Sequence, residues 1–428
     1  MESIINDRLG EGCFKTVLEN GFTVLVYPMP HKTAVYAVLA SKIGSDTLDF
    51  VVDGKTRRVP AGTAHFLEHK MFENEDGVDA FELFARTGAS ANAFTSFDKT
   101  CYLFEASLGA RQPLETILGF VGAPYFTEET VEKEQGIIGQ EIKMYLDHPG
   151  WRLVFSMLEL LYHDHSVRHD IAGTVGTIAE ITPELLYDFY DAFYNPRNMV
   201  LAVSGNISAE EVTEICREEF AKRNWKSHET EVIPCREQDG TAGESSTISM
   251  AVSSPQFCLG FKEIPFSKAE RIKKELTLEI LLDVIAGQTS DLYRKLYDSG
   301  LVNTGLYSEM LSGDDYLCVM FSGESEDPEK AIEVIREDIE RVKSTGLSEE
   351  RFLESKRACL GDVIGEYEDV SAVAANLVCS HFKGAGIYDI MALTETIEKE
   401  DAEELLSSFL RGSHSAVSLV VPIKASEQ

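Results

Sequence analysis

The sequence predicts an α+β fold of two duplicated domains, each a mainly antiparallel sheet covered by helices. Three observations carry that prediction. Strand-like alternation comes in pairs across short turns, which makes hairpins; a doubly wound fold would interleave single strands with helices. The order strand, strand, helix, strand, strand, several helices, strand runs through the first half and again through the second. Between the two runs lies a polar stretch, 226–246, with Pro234 and two glycines, which reads as a linker. The expected domains are therefore 1–225 and 247–428.

Apolar residues alternate around Asn20-Gly21 (Phe14, Val17, Leu18, then Phe22, Val24, Val26) and predict two short strands or one strand with a turn. A strand at 33–43 follows, and then a polar excursion, SDTLDFVVDGKTRRVP, that reads as an inserted hairpin. Helical spacing is expected over 61–72 and 77–87, the second stopped by Gly88. Residues 91–97 and 101–106 alternate as paired strands across Asp98-Lys99. Helices near 113–122, 128–147, 151–162 and 183–193 lead to a strand at 199–204. In the second domain, strands near 247–252 and 256–263 precede helices at 268–286 and 290–297. A strand pair at 306–311 and 316–322 follows, then helices at 328–343, 348–383 and 398–410, and a last strand at 416–422.

Lys and Arg number 39 against 72 Asp and Glu, a net charge of −33. Such a field repels phosphate backbones and anionic lipid, so no nucleic acid and no membrane surface is expected as partner; a basic or neutral polypeptide suits it better. None of the eight cysteines forms a CxxC pair, which excludes zinc ribbons and thioredoxin-type motifs. Dispersed cysteines read as small core residues in a reducing compartment. The start, MESIINDRLGEG, has neither the basic nor the apolar region of a signal peptide, and no apolar run is long enough for a membrane span. The expected location is cytoplasmic.

Chemistry concentrates in His65-Phe66-Leu67-Glu68-His69. On a helix, His69 lies about 40° from His65 and Glu68 about 60° to the other side. Two imidazoles one turn apart with a carboxylate beside them can bind zinc and supply a general base for water. The order HxxEH reverses HExxH. A third ligand is expected from the helix at 128–147, which offers Glu128, Glu129, Glu132, Glu134 and Glu141. Glu134 and Glu141, seven apart, share a face roughly 10 Å apart along the axis. One can ligate while the other supports a ligand, and spacing leaves that choice open. His163, Asp164, His165, His169 and Asp170 form a rival cluster.

AGTAHFLEHKMFE resembles the signature of the pitrilysin/insulinase family of zinc peptidases, which includes mitochondrial processing peptidase. GASANAFTSFDKTCY at 88–102, VEKEQGIIGQEIKMYLDHP at 131–149 and AGTVGTIAEITPELLYDFYDAFYNPRNMVLAVSGNI at 172–207 follow in register. The resemblance covers most of 14–225, continues more weakly beyond, and is strongest to half-length bacterial processing-peptidase-like members. It implies one half of a clamshell and one zinc per chain, held by His65, His69 and Glu141. Glu68 is then the base, and Glu134 supports a ligand. By the same resemblance, Ala91, Asn92, Ala93, Phe94 and Thr95 form an edge strand that takes peptide substrate as an added strand, with side-chain pockets near Phe66 and Phe72. The implied activity is a zinc metalloendopeptidase cleaving short or unfolded peptides in an enclosed chamber. The alternative is a non-catalytic structural or peptide-binding subunit of a heterodimeric complex.

One segment departs from the family. An Arg and a Tyr seven residues apart serve the substrate carbonyl there, and the matching stretch here is SDLYRKLYDSGLVNTGLY. The Arg position falls on Tyr297 and the Tyr position near Asn303 or Thr304, while Arg294 and Tyr307 stand thirteen apart and out of register. The expected partner is a zinc-less paralogue carrying the missing pair, in a heterodimer; a homodimer is the other option.

Overall fold

The computed structural model describes residues 1–6, 10–223, 225, 228–303 and 305–423. The chain begins β1 (Glu2–Asn6), β2 (Glu11–Val17), β3 (Thr23–Pro28), β4 (Val35–Ser41), β5 (Asp49–Val52) and β6 (Lys55–Arg58). It continues α1 (Thr63–Lys70), α2 (Ala80–Arg86), β7 (Ser90–Thr95), β8 (Thr100–Ala106), α3 (Arg111–Val121), α4 (Glu128–Leu146) and α5 (Pro149–Leu161). Next come α6 (Val175–Ile178), α7 (Pro183–Phe193), β9 (Met199–Gly205), α8 (Ala209–Lys222) and β10 (Thr230–Val232). The remainder runs β11 (Ser245–Met250), β12 (Gln256–Glu263), α9 (Arg271–Ala286), α10 (Asp291–Asp298), β13 (Leu306–Ser312) and β14 (Leu317–Glu324). It closes with α11 (Pro328–Thr345), α12 (Glu349–Glu366), α13 (Val370–Phe382), α14 (Asp389–Thr396), α15 (Lys399–Ser408) and β15 (Ser415–Pro422).

The fold class is α+β, as expected. Among the described residues the larger sheets are ordered β1-β2-β3-β9-β4-β8-β7 and β11-β15-β12-β14-β13. Their pairings are antiparallel except β3 with β9 and β11 with β15. The run β3-β9-β4-β8-β7 therefore has the same order and directions as β11-β15-β12-β14-β13, which is the duplication expected from element order. In the first sheet, β9 is buried along its whole length, as suits a central strand with both faces covered.

The compact units differ from the expected blocks 1–225 and 247–428. The first comprises Met1–Ile142, Asp170–Ile233 and Gly365–Tyr388; the second comprises Lys143–His169, Pro234–Ile364 and Asp389–Gln428. Each unit thus takes a helix from the other's stretch of sequence: α13 packs on β4 and β9, and α5 packs on β12 and β15. An amphipathic helix keeps the same pattern whichever sheet it covers, so the sequence is silent on this exchange. The stretch expected as a linker holds β10, which pairs with β5, and the start of β11, while residues 226 and 227 lie outside the described residues. The helix expected over 348–383 is broken before α13, where Asp369 caps the backbone N–H groups of Ser371 and Ala372. β1, α8 and α14 were not expected at all.

In the second unit Phe257, Leu259 and Phe261 alternate on β12 and join Leu317, Val319 and Phe321 of β14 in one core. The opposite face of β12 meets α5 at Gly260. A Cβ there would stand 2.3 Å from Met157 Sδ and 3.2 Å from Leu161 Cδ1. The helix can lie this close only because the strand has no side chain at that point. Gly260→Val is expected to destabilise by about 1–3 kcal/mol, the usual cost of overpacking, and urea unfolding with Gly412→Ala as an open-site comparison measures it.

Candidate metal centre

α1 starts from a main-chain contact. A Cβ on Gly62 (φ 95°) would lie 2.5 Å from the Ala172 carbonyl oxygen, and one on Gly173 (φ 72°) would lie 2.3 Å from that of Ala61. Two Ala-Gly turns therefore pack backbone against backbone, and this seats the first turn of α1. The helix is then enclosed on almost every side: Thr63, Ala64, His65, Phe66, Leu67, Glu68 and Lys70 are all buried. Polar side chains so enclosed need partners. Lys70 Nζ donates to the Glu73 carboxylate and to the Thr130 carbonyl oxygen, tying the end of α1 to the start of α4.

α4 turns a stripe of Val131, Glu134, Ile138 and Ile142 inward, so Glu134 sits at a core position. Its Oε1 lies 3.0 Å from His69 Nδ1. Glu141, two turns on, brings Oε2 to 3.5 Å from His69 Nε2 and Oε1 to 3.8 Å from His65 Nε2. The two glutamates thus face different nitrogens of the His69 ring, Glu134 at Nδ1 and Glu141 at Nε2. The imidazoles of His65 and His69 are 4.6 Å apart, tilted by 59°.

Burial pushes His65 down to about 3, with His69 adding to the shift, so its ring is neutral. For His69 burial acts in the same direction, but the Glu134 bond and the carboxylates of Glu68 and Glu141 outweigh it and raise the pKa. Glu68 is pushed up to about 7, chiefly by burial, against the hydrogen bond from Thr95, whose hydroxyl donates to Glu68 Oε2 at 2.6 Å.

The donor set suits a divalent metal. One nitrogen from each of His65 and His69 and one Glu141 oxygen all lie within 4.8 Å of one another, the one such group among the described residues. Two donors on a tetrahedral zinc stand about 3.4 Å apart, close to the 3.5 and 3.8 Å separations from Glu141. A buried neutral imidazole is the protonation state a ligand requires. His65 Nδ1 is buried without a hydrogen-bond partner, so no hydrogen bond at that nitrogen orients the ring.

Residues 57–174, which contain α1 and α4, match the family described as insulinase (peptidase family M16), and residues 180–359 match the peptidase M16 inactive domain. Over 97% of its length the chain is 36% identical to a Bacillus subtilis protein named uncharacterized zinc protease YmfH, of which it covers 98%. The chain belongs to the insulinase (M16) family. A crystal structure of an M16-like peptidase from Alicyclobacillus acidocaldarius superposes with a TM-score of 0.93 at 34% identity, covering 96% of this chain and 98% of that one. The periplasmic protease PqqL of Escherichia coli shares the fold at a TM-score of 0.76 and 19% identity, with all of this chain matching 50% of that one.

The other expected site residues of this M16 chain fall in different settings. Ala91, Asn92, Ala93, Phe94 and Thr95 do form an edge strand, β7, with Ala91, Ala93 and Thr95 half-buried and Asn92 and Phe94 exposed. Phe66 corrects the expectation of a pocket at its side chain: it is wholly buried in the core and offers no surface to a ligand. Phe72 is half-buried and stacks on Phe81 at 4.3 Å. Arg294 is exposed on α10 and Tyr307 exposed on β13, both in the second unit, as is Tyr297; Thr304 lies outside the described residues.

The rival cluster is a loop anchor. Backbone N–H groups of His163, Asp164 and His165 donate to the Glu237 carboxylate. Burial opposes ionisation there, yet Lys262 and those three donors hold Glu237 down to about 2. His165 spends one ring nitrogen accepting from the Val167 N–H and the other on Asp315 at 2.9 Å. Two contacts escaped the sequence reading, Thr95 with Glu68 and Lys70 with Thr130, because each joins segments far apart in the chain. Glu134→Ala is expected to weaken metal binding by roughly 10–100-fold, as loss of a ligand's support does. Competition against a chelator measures it, with the exposed Glu132→Ala as a variant that leaves affinity unchanged.

Proposed function

We propose that the chain is a zinc-dependent endopeptidase acting on short or unfolded peptides. The observation that carries this reading is the convergence of His65, His69 and Glu141 beside a buried Glu68 raised to about 7. Zinc held by those three side chains would polarise a water molecule and the scissile carbonyl. Glu68 takes the proton of the attacking water and returns it to the amine nitrogen as the C–N bond breaks; a carboxyl poised near neutral pH serves both halves of that transfer. β7 offers an open strand edge ending at Glu68's partner, Thr95, so substrate main chain added along it would run toward the base. Names given to relatives, a zinc protease among them, support the class. A purely structural subunit has no use for an unbroken base and ligand set, which weighs against that alternative. Eight free cysteines suit a cytoplasmic setting, and no helix among the described residues is long and apolar enough to cross a membrane.

The same reading includes a partner. This chain's fold corresponds to half of the PqqL chain, and its Arg294 and Tyr307 do not occupy the family's register. A heterodimer with a zinc-less paralogue bearing that Arg and Tyr would complete the site; a homodimer would leave the oxyanion without those donors, a loss of about 10²–10³ in rate by analogy with other oxyanion sites.

Two outcomes are expected. Glu68→Gln keeps zinc, measured by metal analysis, and loses about 10²–10⁴-fold in turnover of a quenched peptide, whereas Glu141→Gln loses zinc; retained activity in the first variant or full occupancy in the second would sink the assignment. Mixing with the paralogue should raise turnover well above that of the chain alone. Equal rates with and without it, together with inactivity of Arg294→Ala, would mean that one polypeptide holds the whole site.

A further inference from the structure

We infer that Thr95 is a positioning residue for Glu68, coupling the strand that would receive the peptide to the side chain that would move the proton. This rests on the peptidase reading above.

Thr95 is the last residue of β7 and pairs with Thr100 across the hairpin. Beyond it the turn is closed by the Ser96 N–H on the Lys99 carbonyl, at 2.8 Å, and by the Ser96 hydroxyl on Asp98. The backbone of Thr95 is thus fixed from both sides. On a strand, residues 91, 93 and 95 share a face, and the hydroxyl of Thr95 reaches Glu68 Oε2 at 2.6 Å, showing that this face looks toward α1. No other hydrogen bond among the described residues reaches the Glu68 carboxylate. Being a single donor to a buried carboxylate, the hydroxyl holds Oε2 and leaves Oε1 as the oxygen that exchanges the proton. A carboxylate that loses its only donor is free to rotate about its side-chain bonds, and proton transfer is steep in distance and angle. Thr95 also ends the open edge, so its place in the register decides which bond of an added peptide comes to rest beside the base.

The experiment compares Thr95→Val, which keeps the branched strand side chain and removes the donor, with Thr95→Ser, which keeps the hydroxyl. For the wild-type chain with its partner, Thr95→Val is expected to lower kcat roughly 10–100-fold, with KM and zinc content within twofold, and Thr95→Ser to recover most of that loss. Unchanged kcat in Thr95→Val would overturn the inference, and so would a Ser variant as poor as Val or an effect confined to KM. Thermal unfolding of the zinc-loaded chain gives a readout independent of turnover. The shift in Tm caused by Thr95→Val should vanish in a Glu68→Ala background; a shift that persists undiminished overturns the assignment. A wild-type chain that binds zinc yet cleaves no peptide, alone or with its partner, would instead bring down the peptidase reading, and the Tm cycle alone would then decide whether Thr95 holds Glu68.

Discussion

The enclosure of α1 is the constraint from which the site follows. A helix buried on nearly every face would ordinarily be apolar, yet this one carries His, Glu, His and Lys within six residues. Enclosure favours partners supplied by the protein itself, and three of the four side chains find one. Glu134 answers His69, Thr95 answers Glu68, and Glu73 with the Thr130 carbonyl answers Lys70. Satisfying these demands fixes the distance from α1 to α4 and to β7. What remains once they are met is a cluster of two imidazole nitrogens and one carboxylate with no covalent reason to be together, and a cation is the natural filler of such a space.

Most of the fold was legible because its elements have strong local signals. The long helix α4 and the strands of both hairpins were expected within a residue or two of where they lie, since each carries a clear period and a turn or cap at its ends. The break between α12 and α13 is made by an aspartate cap at Asp369, inside a stretch without proline whose two glycines, Gly361 and Gly365, lie within α12. The assignment of helices to sheets was beyond reach for a different reason: α5 and α13 advertise an apolar face but not its destination.

The site divides along the same line. His65, Glu68 and His69 are one helical turn and could be read from spacing alone. Glu134 and Glu141 required tertiary structure, since only the position of the His69 ring shows which of its nitrogens each one faces. The pocket expected near Phe66 came with the resemblance, which does not show that this side chain is buried in the core. Thr95 looked like one residue of a strand, and its second role depends on how α1 lies over the sheet edge.

The exchange of α5 and α13 has a consequence for how the chain comes into being. During synthesis the first sheet is complete at β9, yet the helix that covers β4 and β9 emerges only after nearly the whole second unit has been made. Until then an apolar sheet face stands open, and α5 is present with no strands of its own to cover. Closing such a long loop slows assembly and lengthens exposure to aggregation. Neither duplicated half can therefore mature alone on the ribosome. Cutting the chain between its repeats would leave each sheet without a helix that covers it, α13 for the first and α5 for the second.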